Sequence, residues 1–388
     1  MGARRTDQII LHLAVAANTV GLGVVLALLA DLQDAYGLPT AGLGLIAGSS
    51  FVTSFVAYLW LSRYADRGHA KIMLIVGLLV GAASLVMTAY ARDLWLFVVA
   101  RAVLGLAEGA FVPAARRVVL DWSPDRPGEV LGRILAASVG GFALGPLIGA
   151  LLAARFGLRI PFLVPAAVLL AAVPVVTRLR APAPLAITAE KGLLSLLGSR
   201  LVVAGMAFSA VDFLTIGAFD AVWARLLADR GASSVFVGLS FTLIAIPLVL
   251  LAPRFGRLTD RRSPTLVAIP GVLIVSAAVL GYGWLGAPLL LAGAALVHGV
   301  GTAALAPAGA ALVAAGSPPD MMARGQGLME AVGFIVAAAA AIPAGWAYET
   351  MGRGVWWTGI ATVAWAVFVF GWWMARSSAP GSPSPSEP

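Results

Sequence analysis

Of the 388 residues, 60% are hydrophobic and 11% charged, against about 45 to 50% and about 25% in soluble domains, which excludes an ordinary water-soluble globule. At about 20 residues per crossing, the chain has room for about twelve membrane spans with short loops and for no large aqueous domain. The balance of 26 Lys+Arg over 18 Asp+Glu in so apolar a chain points to membrane topology rather than nucleic acid; zero cysteines exclude disulfides and thiolate metal sites, and three histidines (His12, His69, His298) argue against a histidine-rich metal site.

Apolar runs predict spans over about 9–30, 42–61, 72–91, 94–115, 130–153 and 160–176 in a first half. A second half follows with runs over about 201–224, 234–252, 265–284, 287–314, 322–347 and 355–374. The expected fold is an all-α membrane protein with two six-helix bundles, residues 1–176 and 201–376. Residues 177–200, with Arg178, Arg180, Pro182, Pro184, Glu190 and Lys191, read as a cytoplasmic linker carrying a short interfacial helix near Leu193–Leu197. The Ser- and Pro-rich stretch 377–388 reads as a disordered tail. Arg4 and Arg5 ahead of an apolar run resemble a signal peptide, but the run continues to Ala30, so an uncleaved first helix is expected.

Assigning the N-terminus, the even-numbered connections and the tail to the cytoplasm collects 19 basic residues against 6 on the other side, with Arg101 inside a span. That asymmetry predicts a plasma-membrane protein with both termini cytoplasmic.

Shifting the chain by half its length aligns Arg63, Asp66 and Arg67 with Arg257, Asp260 and Arg261, and Gly105, Pro113, Ser123 and Pro124 with Gly299, Pro307, Ser317 and Pro318. Two duplicated six-span units imply a pseudo-twofold axis along the membrane normal and a chamber that opens to either side by rocking.

These residues resemble the major facilitator superfamily along almost the whole chain. Asp66, Arg67 and Lys71 match the family's loop between spans two and three, with Ser62, Gly68 and Ala70 departing from the pattern; Gly256, Leu258, Asp260 and Arg261 match its repeat. Arg101, Gly105 and Gly109 resemble the family's arginine motif in the fourth span, with Leu104 where glutamine is common. Gly141, Gly145, Pro146 and Gly149 are similar to the glycine-proline motif of its proton-coupled exporters, with Ala150 in place of a final glycine. The resemblance implies the twelve-span drug:proton antiporter group.

Ionisable groups inside spans cost about 2.5 to 3.5 kcal/mol each on insertion scales and so are site candidates by default. They are Arg101, Glu108, Asp212, Asp220, His298 and Glu330. Arg101, Gly105 and Glu108 share a helix face, and the half-length shift sets Asp212 opposite Asn18, which predicts that both point into the chamber. A carboxylate there, near a cation such as Arg101, can exchange protons and answer a charged substrate. Asp220, Glu108 and Glu330 sit nearer span ends, where hydration or local pairing is the competing reading, and His298 also reads as a hydrogen-bonded interior histidine. Phe208, Phe213, Phe219 and Trp223 are candidate pocket aromatics, and Trp356, Trp357, Trp372 and Trp373 read as interface anchors. Asp66, Arg67, Lys71, Asp260 and Arg261 form a candidate cytoplasmic gate, and Gly141, Gly145, Pro146 and Gly149 a bending point.

The expected function is proton-coupled efflux of small apolar or amphipathic molecules by a monomer, with substrate, protons and lipid as partners and no cofactor, metal, nucleic acid or enzymatic activity. No Gly-x-x-x-x-Gly-Lys-Ser/Thr motif supports a built-in ATPase. The alternatives are a proton-coupled importer of a nutrient or organic anion, with Arg101 as the anion contact, then a non-transporting receptor or an intramembrane enzyme.

Overall fold

The computed structural model describes residues 2–122, 127–179, 193–318 and 321–377. The polar stretch 180–192, the tail from 378, and Ser123 and Pro124 of the repeat lie outside the described residues. So do the side chains of Ser62, Arg63 and Asp66.

The first span is broken, although its sequence is apolar throughout: α1 (Gly2–Gly23) and α2 (Leu29–Tyr36) are joined by a 3-10 turn at Leu26–Leu28. The rest of the first bundle is α3 (Thr40–Tyr64), α4 (Ala70–Tyr90), α5 (Leu94–Trp122), α6 (Pro127–Phe156) and α7 (Ile160–Val176). A 3-10 helix at Leu193–Gly198 precedes the second bundle: α8 (Arg200–Ala228), α9 (Ser234–Arg261), α10 (Pro264–Trp284), α11 (Pro288–Gly316), α12 (Met322–Met351) and α13 (Arg353–Arg376). Among the described residues, eleven spans are long and apolar enough to cross a membrane by the usual measure. The twelfth, α7, has 17 residues and reaches about 25 Å.

Local chemistry starts these helices where they start. Ser199 and Ser233 accept the Val202 and Phe236 amides as N-caps, while Pro264 and Pro288 occupy first-turn positions that need no amide donor. Several helices outrun the apolar stretch that announces them; α5 continues past residue 115 through Arg116, Arg117 and Asp121 to Trp122. The chain alternates direction, so one face of the molecule carries the start of α1 and the end of α13. We call it the terminal face and the opposite one the far face.

The duplication is visible in packing. In the first bundle α3 packs on α5, α4 on α5 and α7, and α1 on α6; in the second, α9 packs on α11, α10 on α11 and α13, and α8 on α12. The contacts repeat at single residues. A Cβ on Gly105 would collide with the Ser50 carbonyl, and one on Gly299 with the Ile244 carbonyl, both pairs being related by the half-length shift. Between bundles, Gly44 meets Ala341 and Ile342 while Gly238 meets Pro146 and Leu147, the same contact after exchange of the halves. Small residues permit such backbone approach in a bilayer, where apolar surface alone gives helices no reason to associate.

The bundles meet along α3–α12 and α6–α9. Toward the far face they touch backbone to backbone, through Gly44, Gly238 and Gly345 against Thr40, with the Thr242 hydroxyl donating to the Ala143 carbonyl at 2.8 Å. Toward the terminal face the contacts pass through side chains, Phe51 and Tyr58 of α3 lying against Phe334 of α12.

Candidate functional site

Arg101 of α5 is 3% exposed. Its guanidinium donates to the Leu22 carbonyl at 3.0 Å and to the Ser50 hydroxyl at 3.2 Å. The first bond follows from the broken span: the backbone bond that would join Leu26 to Leu22 is not made, and the released carbonyl needs a donor. On the same face of α5, Ser54 donates to the Gly105 carbonyl at 3.2 Å and sits 3.5 Å from Glu108 Oε2, so α3 lines the whole predicted stripe.

The acid set against Arg101 from the other bundle is Asp220, with Glu108 the second carboxylate in electrostatic reach. This corrects the expected proximity of Arg101 to Asp212. Depth is the reason: Arg101 lies seven residues from the far end of α5 and Asp220 eight from the far end of α8, whereas Asp212 is about 12 Å deeper along the same helix. Asp220 is 4% exposed, so it is not a hydrated span-end carboxylate.

Glu330 on α12 forms a bidentate ion pair with Arg116 on α5, at 2.7 and 2.8 Å. It joins the two bundles nearer the terminal face, and Tyr58 and Glu108 lie within reach of both charges. Asp220, Arg101, Glu108, Arg116 and Glu330 thus alternate in sign along the interface. Arg116 and Tyr58 were not singled out from sequence; Arg116 read as one more topological cation at the edge of an apolar run. Phe213 of α8 joins the aromatic contacts here, its ring 5.5 Å from that of Phe334.

Three candidates lie apart from this track. Asp212 is buried, its carboxylate oxygens making no hydrogen bond of regular geometry, with Thr302 of α11 as the polar side chain set against them. Asn18, also buried, has its amide oxygen beside Gly81 of α4, within its own bundle, which differs from the inward direction expected for Asn18. His298 bonds Tyr282 at 2.9 Å and Thr215 at 3.2 Å within the second bundle, the arrangement of a satisfied interior histidine. Phe208, Phe219 and Trp223 are likewise buried within that bundle; Phe208 stacks on Phe368, and Trp223 stacks on Phe219 while donating to Ser240 at 2.7 Å.

At the far face, Asp34 of α2 pairs with Arg225 of α8 at 2.8 Å, and Ser234 of α9 donates to Asp31 at 2.5 Å. Asp229 links Arg225 to the Tyr348 hydroxyl, which donates at 2.8 Å. This second inter-bundle set was not anticipated, since its partners lie near residues 30 and 230 with no shared motif.

At the terminal face, Ala65–His69 forms a π-helical turn in which Gly68 takes φ 90°, a conformation that disfavours any other residue and accounts for its displaced position in the loop pattern. Arg67 is exposed, its guanidinium 5.8 Å from the Tyr64 ring centre, and Lys71 is half-buried. Asp260 and Arg261 are exposed at the end of α9 and make no ion pair among the described residues. Gly141, Gly145 and Gly149 press α6 onto α1, meeting Ala16, Val20 and Val24, while Pro146 faces Gly238 of the other bundle. Pro146 also deprives the Phe142 carbonyl of its helical donor, and that oxygen lies over Gly23, where a Cβ would not fit. No group of three His, Asp or Glu side chains suited to a metal occurs among the described residues.

The sequence profile of the Major Facilitator Superfamily matches residues 11–220 and 202–388. The chain is 30% identical over 242 residues to the multidrug resistance protein MdtG of Escherichia fergusonii, covering 59% of each. It is 30% identical over 268 residues to the protein of that name from Proteus mirabilis, covering 65% of this chain and 66% of that one. The chain spans about three-fifths to two-thirds of the length of these curated relatives. Among solved structures it resembles a bacterial homolog of the human lysosomal transporter Spinster in an inward-facing, unoccupied conformation, with TM-score 0.79, 15% identity and coverage of 98% and 99% of the two chains. It also resembles the nucleoside transporter NupG, with TM-score 0.76, 15% identity and coverage of 97% and 100%.

Proposed function

The chain belongs to the major facilitator superfamily, whose members are membrane transporters rather than enzymes, and from that premise we propose that it exports small apolar or amphipathic molecules in exchange for protons. The observation that carries this reading is the burial of two opposite charges in electrostatic reach of each other across the interface, Arg101 of one bundle and Asp220 of the other, with no direct ion pair between them. Rocking must separate these groups, and a proton on Asp220 cancels its attraction to Arg101, so protonation and bundle movement are coupled through one interaction; Glu108 shares the helix of Arg101 and acts on the same charge from within the bundle. The resistance proteins named above support export, and the aromatic walls at Phe51, Phe213 and Phe334 support apolar cargo.

In the proposed cycle the terminal face, rich in Lys and Arg, is cytoplasmic. A proton from outside occupies Asp220 or Glu108 and weakens substrate binding; the emptied, protonated carrier turns inward, loses the proton and binds again. Asp212, a buried carboxylate without a firm partner, is a third candidate proton carrier. The ligand drives the cycle only by its difference in affinity for the two orientations. Proton flux in vesicles tests this: Asp220→Asn and Glu108→Gln are expected to uncouple proton movement from substrate movement, and undiminished coupling in these variants and in Asp212→Asn would exclude the proton assignment. A growth-inhibition panel with and without the protein identifies the cargo.

A further inference from the structure

On the outer surface of the last helix, Trp365, Ala366, Val369, Phe370, Trp372 and Trp373 of α13 line a shallow apolar cleft that is open along its length. Val369, Phe370 and Trp373 are 51%, 48% and 59% exposed, so no protein helix covers them. The cleft ends at the terminal face under a cation: the Arg376 guanidinium lies 3.9 Å from the centre of the Trp372 ring. A second guanidinium stands beside it, Arg200 donating to the carbonyl of Ser377, the residue after Arg376, at 3.3 Å. Neither arginine has an acidic partner among the described residues.

An open hydrocarbon face about eight residues long, or roughly 12 Å, bordered at its polar end by two guanidinium groups without acidic partners, has the charge complement of an anionic amphiphile. We propose that this cleft is a binding site for an anionic phospholipid of the leaflet at the terminal face, its phosphate bonded by Arg376 and Arg200 and an acyl chain laid between Trp365 and Trp373. Guanidinium suits the phosphate because its planar donors can bond two oxygens at once. The stacking of Arg376 on Trp372 orients that fork before any lipid arrives. The site is independent of cargo and proton coupling.

Quenching of tryptophan emission tests it on the full chain reconstituted in phosphatidylcholine vesicles, by titrating in either brominated phosphatidylglycerol or brominated phosphatidylcholine. Phosphatidylglycerol is expected to reach half-maximal quenching at about five- to tenfold lower content. The difference should vanish in Arg376→Gln/Arg200→Gln, and also when Trp365, Trp372 and Trp373 are all replaced by Phe. Equal quenching by the two lipids overturns the proposal, as does a phosphatidylglycerol preference that survives the double glutamine variant, which would reflect only the net positive charge of the protein. Quenching that is unchanged when Trp365, Trp372 and Trp373 are replaced also overturns it, since the signal would then come from Trp60, Trp95, Trp284 and Trp346, which are exposed elsewhere on the surface. The lipid comparison on the unaltered chain stands even where a variant fails to fold.

Discussion

Glu330 and Arg116 show what a pair of side chains can contribute when each is partly wet. Their side chains are 25% and 29% exposed, so the bidentate bond adds about 1 kcal/mol to stability, and its larger effect is on which face of the carrier is closed. Glu330→Gln should lower the unfolding midpoint only slightly while raising thiol labelling of cysteines placed in the interface from the terminal side. Arg116→Glu combined with Glu330→Arg should restore the unaltered labelling rate. For Arg101 the geometry is stricter. One guanidinium bonds Leu22 and Ser50 while facing Asp220, and a lysine cannot make that fork, so Arg101→Lys is expected to abolish transport in a vesicle uptake assay with the protein still folded. Sequence named Arg101, Glu108, Asp220 and Glu330 as costly residues, because charge inside an apolar run is visible from the run alone. It set Arg101 near Asp212 rather than Asp220 and named no partner for Glu330, since pairing depends on the depth and rotation of one helix relative to another more than a hundred residues away. Arg116 was missed for a related reason: a cation at the end of a span looks like a topology signal until its partner is seen.

At the scale of helices, the small residues divide into two jobs that a substitution series can separate. Gly105 and Gly299 hold helices of one bundle together, so Gly105→Ala and Gly299→Ala should each cost about 1 to 3 kcal/mol of stability, measured by thermal unfolding in detergent, through a methyl group forced against backbone carbonyl. Gly44 and Gly238 stand between bundles. Gly44→Val or Gly238→Val should leave each bundle intact, shift the molecule toward opening at the far face, and increase labelling of far-face thiols. The twelve spans were legible because apolar length alone announces them, and Gly105 and Gly299 were legible as a repeat, whereas Gly44 and Gly238 were not singled out. The break in α1–α2 was not, because residues on both sides are apolar and Val24 and Val25 carry no breaker; the break is held by Arg101, a residue from another span.

For the whole molecule, both faces carry bonds that join the bundles, Arg116–Glu330 at one and Asp34–Arg225 with Asp31–Ser234 at the other. Turning the carrier must break one set while keeping the other. The chain has no cysteine of its own, so a pair introduced as Asp34→Cys and Arg225→Cys would be its sole thiols. Joining them with a reducible bifunctional thiol reagent should arrest transport, with full recovery on adding a thiol reductant; continued transport by the cross-linked form would mean that the far face need not part.

Inside the spans, unlike in the terminal-face loops, the repeated frame does not carry repeated charges. The half-length shift that relates Gly105 to Gly299 and Gly44 to Gly238 places Ala295 at the counterpart of Arg101 and Leu26 at the counterpart of Asp220. A guest between the halves therefore faces a cationic wall on one side and a greasier one where that cation's twin would stand. A lopsided guest has one preferred heading in its berth, and its mirror form is expected to travel at a different rate.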